Sequence, residues 1–213
     1  MGKNDRIEKV MLRLKKRYPK GVSMLASVGP DPFKVLISTI LSARTKDENT
    51  ARVSAILFSR FTDAASLSRA PIDEIENLIK SIGFYRAKAK HIKETSRMIV
   101  DDFMGIIPNN IKDLLTLPGV GRKTANCLLV YGYGIPAIAV DTHVHRISNR
   151  LGWVKTKTPE ETEKVLEKIL PKRWWLKINE YFVLYGKEIC QPKKPKCGEC
   201  VIENICKYEK KPI

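Results

Sequence analysis

The stretch from Leu114 to Asp141, LLTLPGVGRKTANCLLVYGYGIPAIAVD, constrains this chain more than any other. It reads as helix, tight hairpin, helix, and then an apolar segment that ends on a carboxylate. Pro118 cannot continue the first helix, because it lacks an N–H and disfavours helical backbone at Leu117. Gly119 and Gly121 let the chain turn and bring bare backbone close to a ligand. The helix from Arg122 to Tyr133 starts with outward-pointing N–H groups at the positive end of its dipole, a natural seat for phosphate. Lys123 lies in that first turn, where a lysine is either a phosphate contact or a nucleophile.

Around this stretch the apolar residues recur at helical spacing. Ile7, Val10, Met11, Leu14 and Tyr18 mark a first helix over 5–18 with Asp5 as its expected N-cap, and Gly21 to Pro32 is a connector. FKVLISTILS, opened by Pro32, is apolar nearly all round and is expected at the buried centre. Thr45 and Glu48 form an expected capping box for the next helix, with Val53, Ile56, Leu57 and Phe61 inward. Pro71 opens another helix, Gly83-Phe84-Tyr85-Arg86 breaks it, and a further helix runs from Ala87 to Phe103. Residues 142–151, a helix opened by a Thr158–Glu161 capping box, and Trp174 to Ile189 are helical in turn. Ala137–Val140 is strand-like, but no convincing β alternation appears, so the fold class is all-α.

With 213 residues, the chain can bury a substantial core in one large or two small domains. Thirty-nine basic against twenty-three acidic residues give a net charge of +16, which favours a polyanionic partner, nucleic acid first and anionic membrane second. No run is long and apolar enough for a membrane span, and the charged N-terminus leads to no signal-peptide core, so a soluble intracellular protein is expected.

Five cysteines in such a chain argue against a disulfide framework. Four of them, Cys190, Cys197, Cys200 and Cys206, fall within seventeen residues at the spacing C-x6-C-x2-C-x5-C. Four thiolates on a short loop bind zinc or an iron–sulfur cluster. A zinc ribbon usually pairs two C-x2-C knuckles, and only one such pair is present, so the spread fits a [4Fe–4S] cube better. Lys193, Lys194 and Lys196, between the first two ligands, can then present positive charge to phosphates. Cys127, among Ala125, Leu128 and Leu129, reads as a core residue.

Lys123 and Asp141 each have an ordinary reading, a phosphate contact and a helix cap. Together they suggest more. A helix dipole and an apolar setting lower a lysine pKa and free the amine as a nucleophile, while a nearby carboxylate stabilises a developing cation.

LPGVGRKTAN, followed eighteen residues after its lysine by VDTHVHR, resembles the endonuclease III branch of the helix-hairpin-helix DNA glycosylases. The C-terminal cysteine spacing is similar to that branch's cluster motif, so the resemblance covers nearly the whole chain. It implies that Lys123 is the Schiff-base lysine, Asp141 the essential aspartate, and Leu117, Gly119, Val120 and Gly121, with Arg122, the backbone-gripping hairpin. It also implies a [4Fe–4S] cluster on the four cysteines. Two DNA-intercalating loops correspond to Ser42–Thr45 and Gly83–Tyr85, with Arg44 and Phe84 as candidates to fill the gap in the duplex. Arg44 stands where bacterial members usually carry glutamine.

The implied fold is two helical domains with the active cleft between them. A helical barrel spans 25–134, and 1–24 joins 135–213 in a domain ending in the cluster loop 190–206. The implied function is base-excision repair by a bifunctional glycosylase and abasic-site lyase. Its partner is double-stranded DNA carrying an oxidised pyrimidine or an abasic site; it would act as a monomer, in the cytoplasm at the nucleoid. Rival readings are a monofunctional mismatch glycosylase, which would lack the hairpin lysine, a non-catalytic DNA-binding module, and a zinc-stabilised RNA-binding protein. His91, His143 and His145 have no ligand partner at useful spacing, and no catalytic histidine is expected.

Overall fold

Helical periodicity in the sequence is realised as helix along the chain of this computed structural model, which describes residues 2–19 and 28–209. In chain order the α-helices are α1 (Lys3–Arg17), α2 (Pro32–Ser42), α3 (Asp47–Arg60), α4 (Ala64–Arg69), α5 (Ile72–Ile79) and α6 (Tyr85–Phe103). They continue as α7 (Ile111–Leu114), α8 (Arg122–Tyr133), α9 (Thr142–Arg150), α10 (Pro159–Ile169) and α11 (Trp175–Glu188). Short 3-10 turns cover Lys172–Trp174, Cys197–Glu199 and Glu203–Ile205. Among the described residues there is no strand, and no helix is long and apolar enough to cross a membrane. Much of the expected connector, residues 21–27, lies outside the described residues.

The chain divides into two compact units, Met24–Ile135 and a second made of Met1–Ser23 with Pro136–Ile213. In the first, α2 is buried along most of its length, from Phe33 to Leu41. Asp31 caps it by accepting from Lys34 N at 3.2 Å. Its polar residues are satisfied internally: Ser38 Oγ meets Ser54 Oγ at 3.2 Å and Thr39 Oγ1 donates to Val35 O at 2.7 Å. Helix α8 lies close against α2, and Gly132 permits it, since a Cβ there would come within 3.2 Å of Pro32 Cα. In α3 the inward stripe is Val53 and Leu57, continued by Phe61, whereas Ile56 is exposed. Residue 56 flanks a stripe set by steps of four, so its expected inward place is not realised.

Several helix starts differ from expectation. Helix α1 is capped by Gly2, and Asp5 sits one turn in, accepting from Gly2 N at 3.1 Å. Thr45 does not cap α3; its hydroxyl donates to Ala43 O and accepts from the buried Lys88, and Lys46 occupies the cap position without a side-chain bond. Helix α6 begins at Tyr85, because Phe84 takes a left-handed cap conformation there. Helix α4 has too few apolar residues for a periodic signal, yet Asp63 and Ser66 form its capping box. At α10 the Thr158 cap forms, but Glu161 reaches back to Lys157 N rather than to Thr158 N. The segment 172–174 turns as 3-10 before α11 starts at Trp175, so the last long helix begins one residue late.

The α7–α8 hairpin is fixed from both sides. Leu117 and Val120 are buried anchors, and Thr95 Oγ1 donates to Pro118 O at 2.7 Å. Gly119 has φ +74°, and a Cβ there would lie 2.9 Å from His91 Cβ. In the second unit Ile7, Val10, Met11 and Leu14 of α1 join Val144, Ile147, Leu166, Ile178, Phe182 and Tyr185 in one core. Glu8 staples α1 to the turn before α11, accepting from Trp174 Nε1 at 2.8 Å and Arg173 Nη2 at 2.7 Å. The indole bond, then the guanidinium, holds its carboxyl below the usual glutamate range.

Two outcomes are expected. Gly119→Ala lowers stability by about 1–2 kcal/mol from the left-handed backbone alone, and by more through the clash with His91, measured by urea unfolding. Glu8→Ala costs about 1 kcal/mol at neutral pH, since its bonds are to a charged but partly exposed group. Because the folded pKa is depressed, that contribution is present above the ordinary value of 4.5 and lost as pH falls through the lowered one. The gap between variant and wild type therefore narrows in acid.

Candidate active site and metal centre

Lys123 stands in the first turn of α8, directly after the hairpin. The N-cap is Gly121, which has no side chain to cap the first-turn N–H groups, and Ala125 N closes the first helical bond onto Gly121 O at 2.9 Å. Arg122 and Lys123 are both half-buried. Within the hairpin the N–H groups of Leu117 and Val120 are used in the turn, onto Leu114 O at 3.3 Å and Leu117 O at 3.1 Å. Gly119 and Gly121 are the exposed hairpin residues, where another molecule can approach the backbone most closely.

In the other unit, Asp141 is the N-cap of α9. Its Oδ1 accepts from His143 N at 2.9 Å and from Val144 N at 2.8 Å. One carboxylate oxygen therefore serves the helix, and the second is left out of the cap. The segment leading to it, Ala137–Val140, is buried but extended rather than paired as a strand. Asn179 of α11 fixes its path by donating to Ala139 O at 2.8 Å. The ordinary reading of Asp141 as a cap thus holds, made by one of its two carboxylate oxygens.

Arg44 and Phe84 lie together at one end of the first unit. Both have left-handed backbone, φ +53° and +59°, and both side chains are exposed. The Arg44 guanidinium lies 5.6 Å from the Phe84 ring centroid, a cation–π distance. Beneath them is Lys88, a buried residue that the sequence reading did not single out. Its ammonium donates to Leu41 O at 2.7 Å, Ala43 O at 2.6 Å and Thr45 Oγ1 at 3.1 Å. Burial pushes its pKa down to about 8. One signal was available: Lys88 precedes Ile92 by four residues and so falls on the inward stripe of α6, where a lysine requires acceptors.

The four cysteines line one cavity together with Arg150, Ile189, Pro195, Lys196 and Tyr208. The loop is held by backbone and side-chain bonds on several sides. Arg146 Nε and Nη2 donate to Cys190 O at 3.1 and 3.0 Å. Arg150 donates to Gln191 O and Pro192 O, each at 2.7 Å, and its Nη1 lies 3.3 Å from Cys190 Sγ. Tyr185 Oη donates to Cys200 Sγ at 3.0 Å, and Arg13 Nη1 reaches Val201 O at 2.8 Å. Among the described residues no group of three or more His, Cys, Asp or Glu side chains is arranged to hold a single metal ion. Four cysteines lining one cavity, with the Arg150 guanidinium against the first sulfur and Lys196 in the same lining, are a donor set that fits an iron–sulfur cluster. Lys193, Lys194 and Lys196 are exposed on this loop, while Pro195 between them is buried. Cys127 is buried in α8, as a core residue. His145 Nδ1 pairs with Thr162 Oγ1 at 2.7 Å, and His91 packs on Gly119.

Residues 37–172 match the HhH-GPD superfamily of base excision DNA repair proteins, and residues 190–206 match the iron–sulfur binding domain of endonuclease III. An endonuclease III from Thermotoga maritima is 49% identical over 202 residues, covering 95% of this chain and 92% of that protein. A solved structure of a trapped endonuclease III–DNA covalent intermediate superposes with a TM-score of 0.89 at 36% identity, covering 97% of this chain and 96% of the other. A thermostable thymine-DNA glycosylase gives 0.88 at 25% identity, with 96% and 97% covered. The chain accordingly carries a [4Fe–4S] cluster, and the matched segment contains the four cysteines. By its hairpin, its cysteine loop and these similarities over nearly its full length, the chain belongs to the endonuclease III family of helix-hairpin-helix base excision DNA repair glycosylases.

Proposed function

We propose that Lys123 and Asp141 carry out the glycosylase and abasic-site lyase chemistry of this base-excision repair enzyme, on duplex DNA bearing an oxidised pyrimidine. The observation that carries the reading is the placement of Lys123: an amine in the first turn of α8, after a glycine-capped hairpin built for close approach of backbone. The covalent enzyme–DNA intermediate trapped for the similar endonuclease III supports it, since such an adduct needs a protein nucleophile.

A base within a duplex is out of reach, so the nucleotide is swung out, most readily when the base is damaged. Arg44 and Phe84 fill the gap left in the stack. The helical unit 24–135 grips the strand, with phosphates at Gly119, Gly121 and Arg122 on the hairpin and Leu117 and Val120 fixing its turn. The other unit contributes Asp141 and the cluster loop, whose Lys193, Lys194 and Lys196 neutralise further phosphates.

The neutral Lys123 amine attacks the sugar C1′, the glycosidic bond breaks, and the base departs with a proton. Loss of the amine proton and opening of the sugar ring leave an imine between Lys123 and C1′. The imine acidifies the C2′ proton. Its removal expels the phosphate oxygen from C3′, and water then releases Lys123 from the unsaturated sugar. Asp141 stabilises the cationic sugar through the carboxylate oxygen not used in the cap and assists proton transfer. The cluster shapes the loop and supplies no step of this sequence.

The mismatch-glycosylase reading keeps one supporting observation, the similarity to a thymine-DNA glycosylase. Lys123 weighs against it, because base removal by an activated water needs no amine there.

Two tests separate these readings. With a thymine glycol duplex and borohydride, wild type forms a covalent protein–DNA adduct and Lys123→Gln forms none. Base release by wild type without adduct or strand cleavage would move the assignment to the monofunctional class. Asp141→Asn leaves stability within about 0.5 kcal/mol, because asparagine caps as well as aspartate. Its single-turnover base release falls by about a hundredfold or more. An unchanged rate would remove Asp141 from the chemistry.

A further inference from the structure

The Ser42–Thr45 and Gly83–Tyr85 loops belong to different turns, yet one buried amine joins them. Lys88 lies in the first turn of α6, and its backbone N–H donates to Phe84 O at 3.1 Å. Its side chain runs inward to the end of α2, where the last carbonyls of that helix lack helical partners. The ammonium takes two such carbonyls, Leu41 O and Ala43 O, and the Thr45 hydroxyl, so its three N–H bonds meet three acceptors. Arg44 lies between two of the tethered residues. Its left-handed backbone, disfavoured for a residue with a Cβ, is bracketed by fixed points on either side. Gly83 completes the joint, for its missing Cβ would lie 3.3 Å from Arg44 O.

We propose that Lys88 is a positioning residue for nucleotide extrusion, its buried ammonium holding Arg44 and Phe84 as one preformed wedge. The inference rests on the reading of those two side chains as the groups that fill the duplex gap. Lys88 touches no DNA itself. It ties the end of α2 to the start of α6, so the guanidinium and the ring enter the stack together rather than as two loose side chains. A wedge assembled before binding spares the ordering cost at the moment of extrusion.

The test compares wild type, Lys88→Met, Thr45→Val, Arg44→Ala and Phe84→Ala. Extrusion is read from 2-aminopurine placed opposite the lesion in a duplex, and base release in a single turnover. Cleavage of an abasic site in single-stranded DNA, where no partner strand has to be held open, reports on the reactive groups alone. Lys88→Met is expected to lower duplex extrusion and base release about tenfold or more, as small misplacements do, while single-strand cleavage changes by less than about twofold. Thr45→Val, which removes one acceptor and no charge, moves the same readouts in the same direction by less, and it covers the case in which Lys88→Met folds poorly.

If Arg44→Ala or Phe84→Ala abolishes extrusion and both Lys88→Met and Thr45→Val retain it, the wedge stands and the role of Lys88 is overturned. Equal losses on duplex and single strand in both variants would make Lys88 a general structural residue and also overturn it. If neither Arg44→Ala nor Phe84→Ala alters extrusion, the wedge reading fails and this inference fails with it.

Discussion

An α-helix leaves its first N–H groups and its last carbonyls without partners inside the helix, and the residues proposed for chemistry and for the wedge stand at those ends. Lys123 opens α8 behind a glycine that cannot cap it. Asp141 closes the N-terminus of α9 with one oxygen. Arg44 follows the end of α2, and Phe84 precedes the start of α6. Since the termini need partners in any case, a DNA phosphate or a buried lysine can satisfy them with no disruption of the helical interior. The proposed site thus sits at helix ends, and the apolar stripes of the same helices are left to build the core.

The cysteine loop obeys a different constraint. From residue 190 to residue 209 regular structure is reduced to two 3-10 turns, and the loop is closed locally by backbone bonds such as Lys196 N to Ile189 O at 2.9 Å and Cys206 N to Glu203 O at 3.1 Å. Neighbouring side chains fasten the loop to the helices. Arg146 and Arg150, one turn apart on α9, take carbonyls around the first ligand, and Arg13 of α1 reaches the far end of the loop. Four thiolates and a cluster would bring negative charge into a half-buried place, and the guanidiniums balance it while holding the ligands apart. Helix α9 therefore carries Asp141 at one end and the anchors of the first cysteine further along, which makes the cluster part of the frame on which the carboxylate sits.

The sequence displayed some of these features far better than others. The hairpin and the cysteine spacing were legible because each depends on residues with few alternatives: glycine where a positive φ is needed, thiolates where iron is bound. The long helices were legible from their stripes, with Ile56 an exception because a period of 3.6 leaves stripe edges ambiguous. Helix starts were less so. Thr45 has the spacing of a cap, but a lysine forty-three residues away claims its hydroxyl, and no local pattern records that. Asp5 likewise serves as a first-turn partner to Gly2 rather than as the cap itself. The clamps Lys88, Arg146 and Arg150 look like ordinary basic residues in a chain with thirty-nine of them, and only tertiary neighbours distinguish them.

Backbone strain separates the structural residues from those that point to function. Three described residues other than glycine have left-handed backbone: Arg44, Phe84 and Met104. Met104 has a local explanation, for it ends α6 ahead of Gly105, whose N–H bonds back to Ile99 O at 2.8 Å, an ordinary way to close a helix. Arg44 is the third residue of a hydrogen-bonded turn in which Thr45 N donates to Ser42 O at 3.1 Å, a position that calls for positive φ and usually takes glycine, while Phe84 stands at the N-cap of α6 with no side-chain cap bond. An arginine and a phenylalanine held left-handed cost about 1 kcal/mol or more each, and such strain persists only where the surroundings over-determine it. Here the surroundings are one ammonium with three acceptors and one glycine pressed against a carbonyl. A fold with only stability to satisfy would relax both residues by substituting glycine. Keeping an exposed cation 5.6 Å from the centre of an exposed ring against that cost is what the proposed wedge requires.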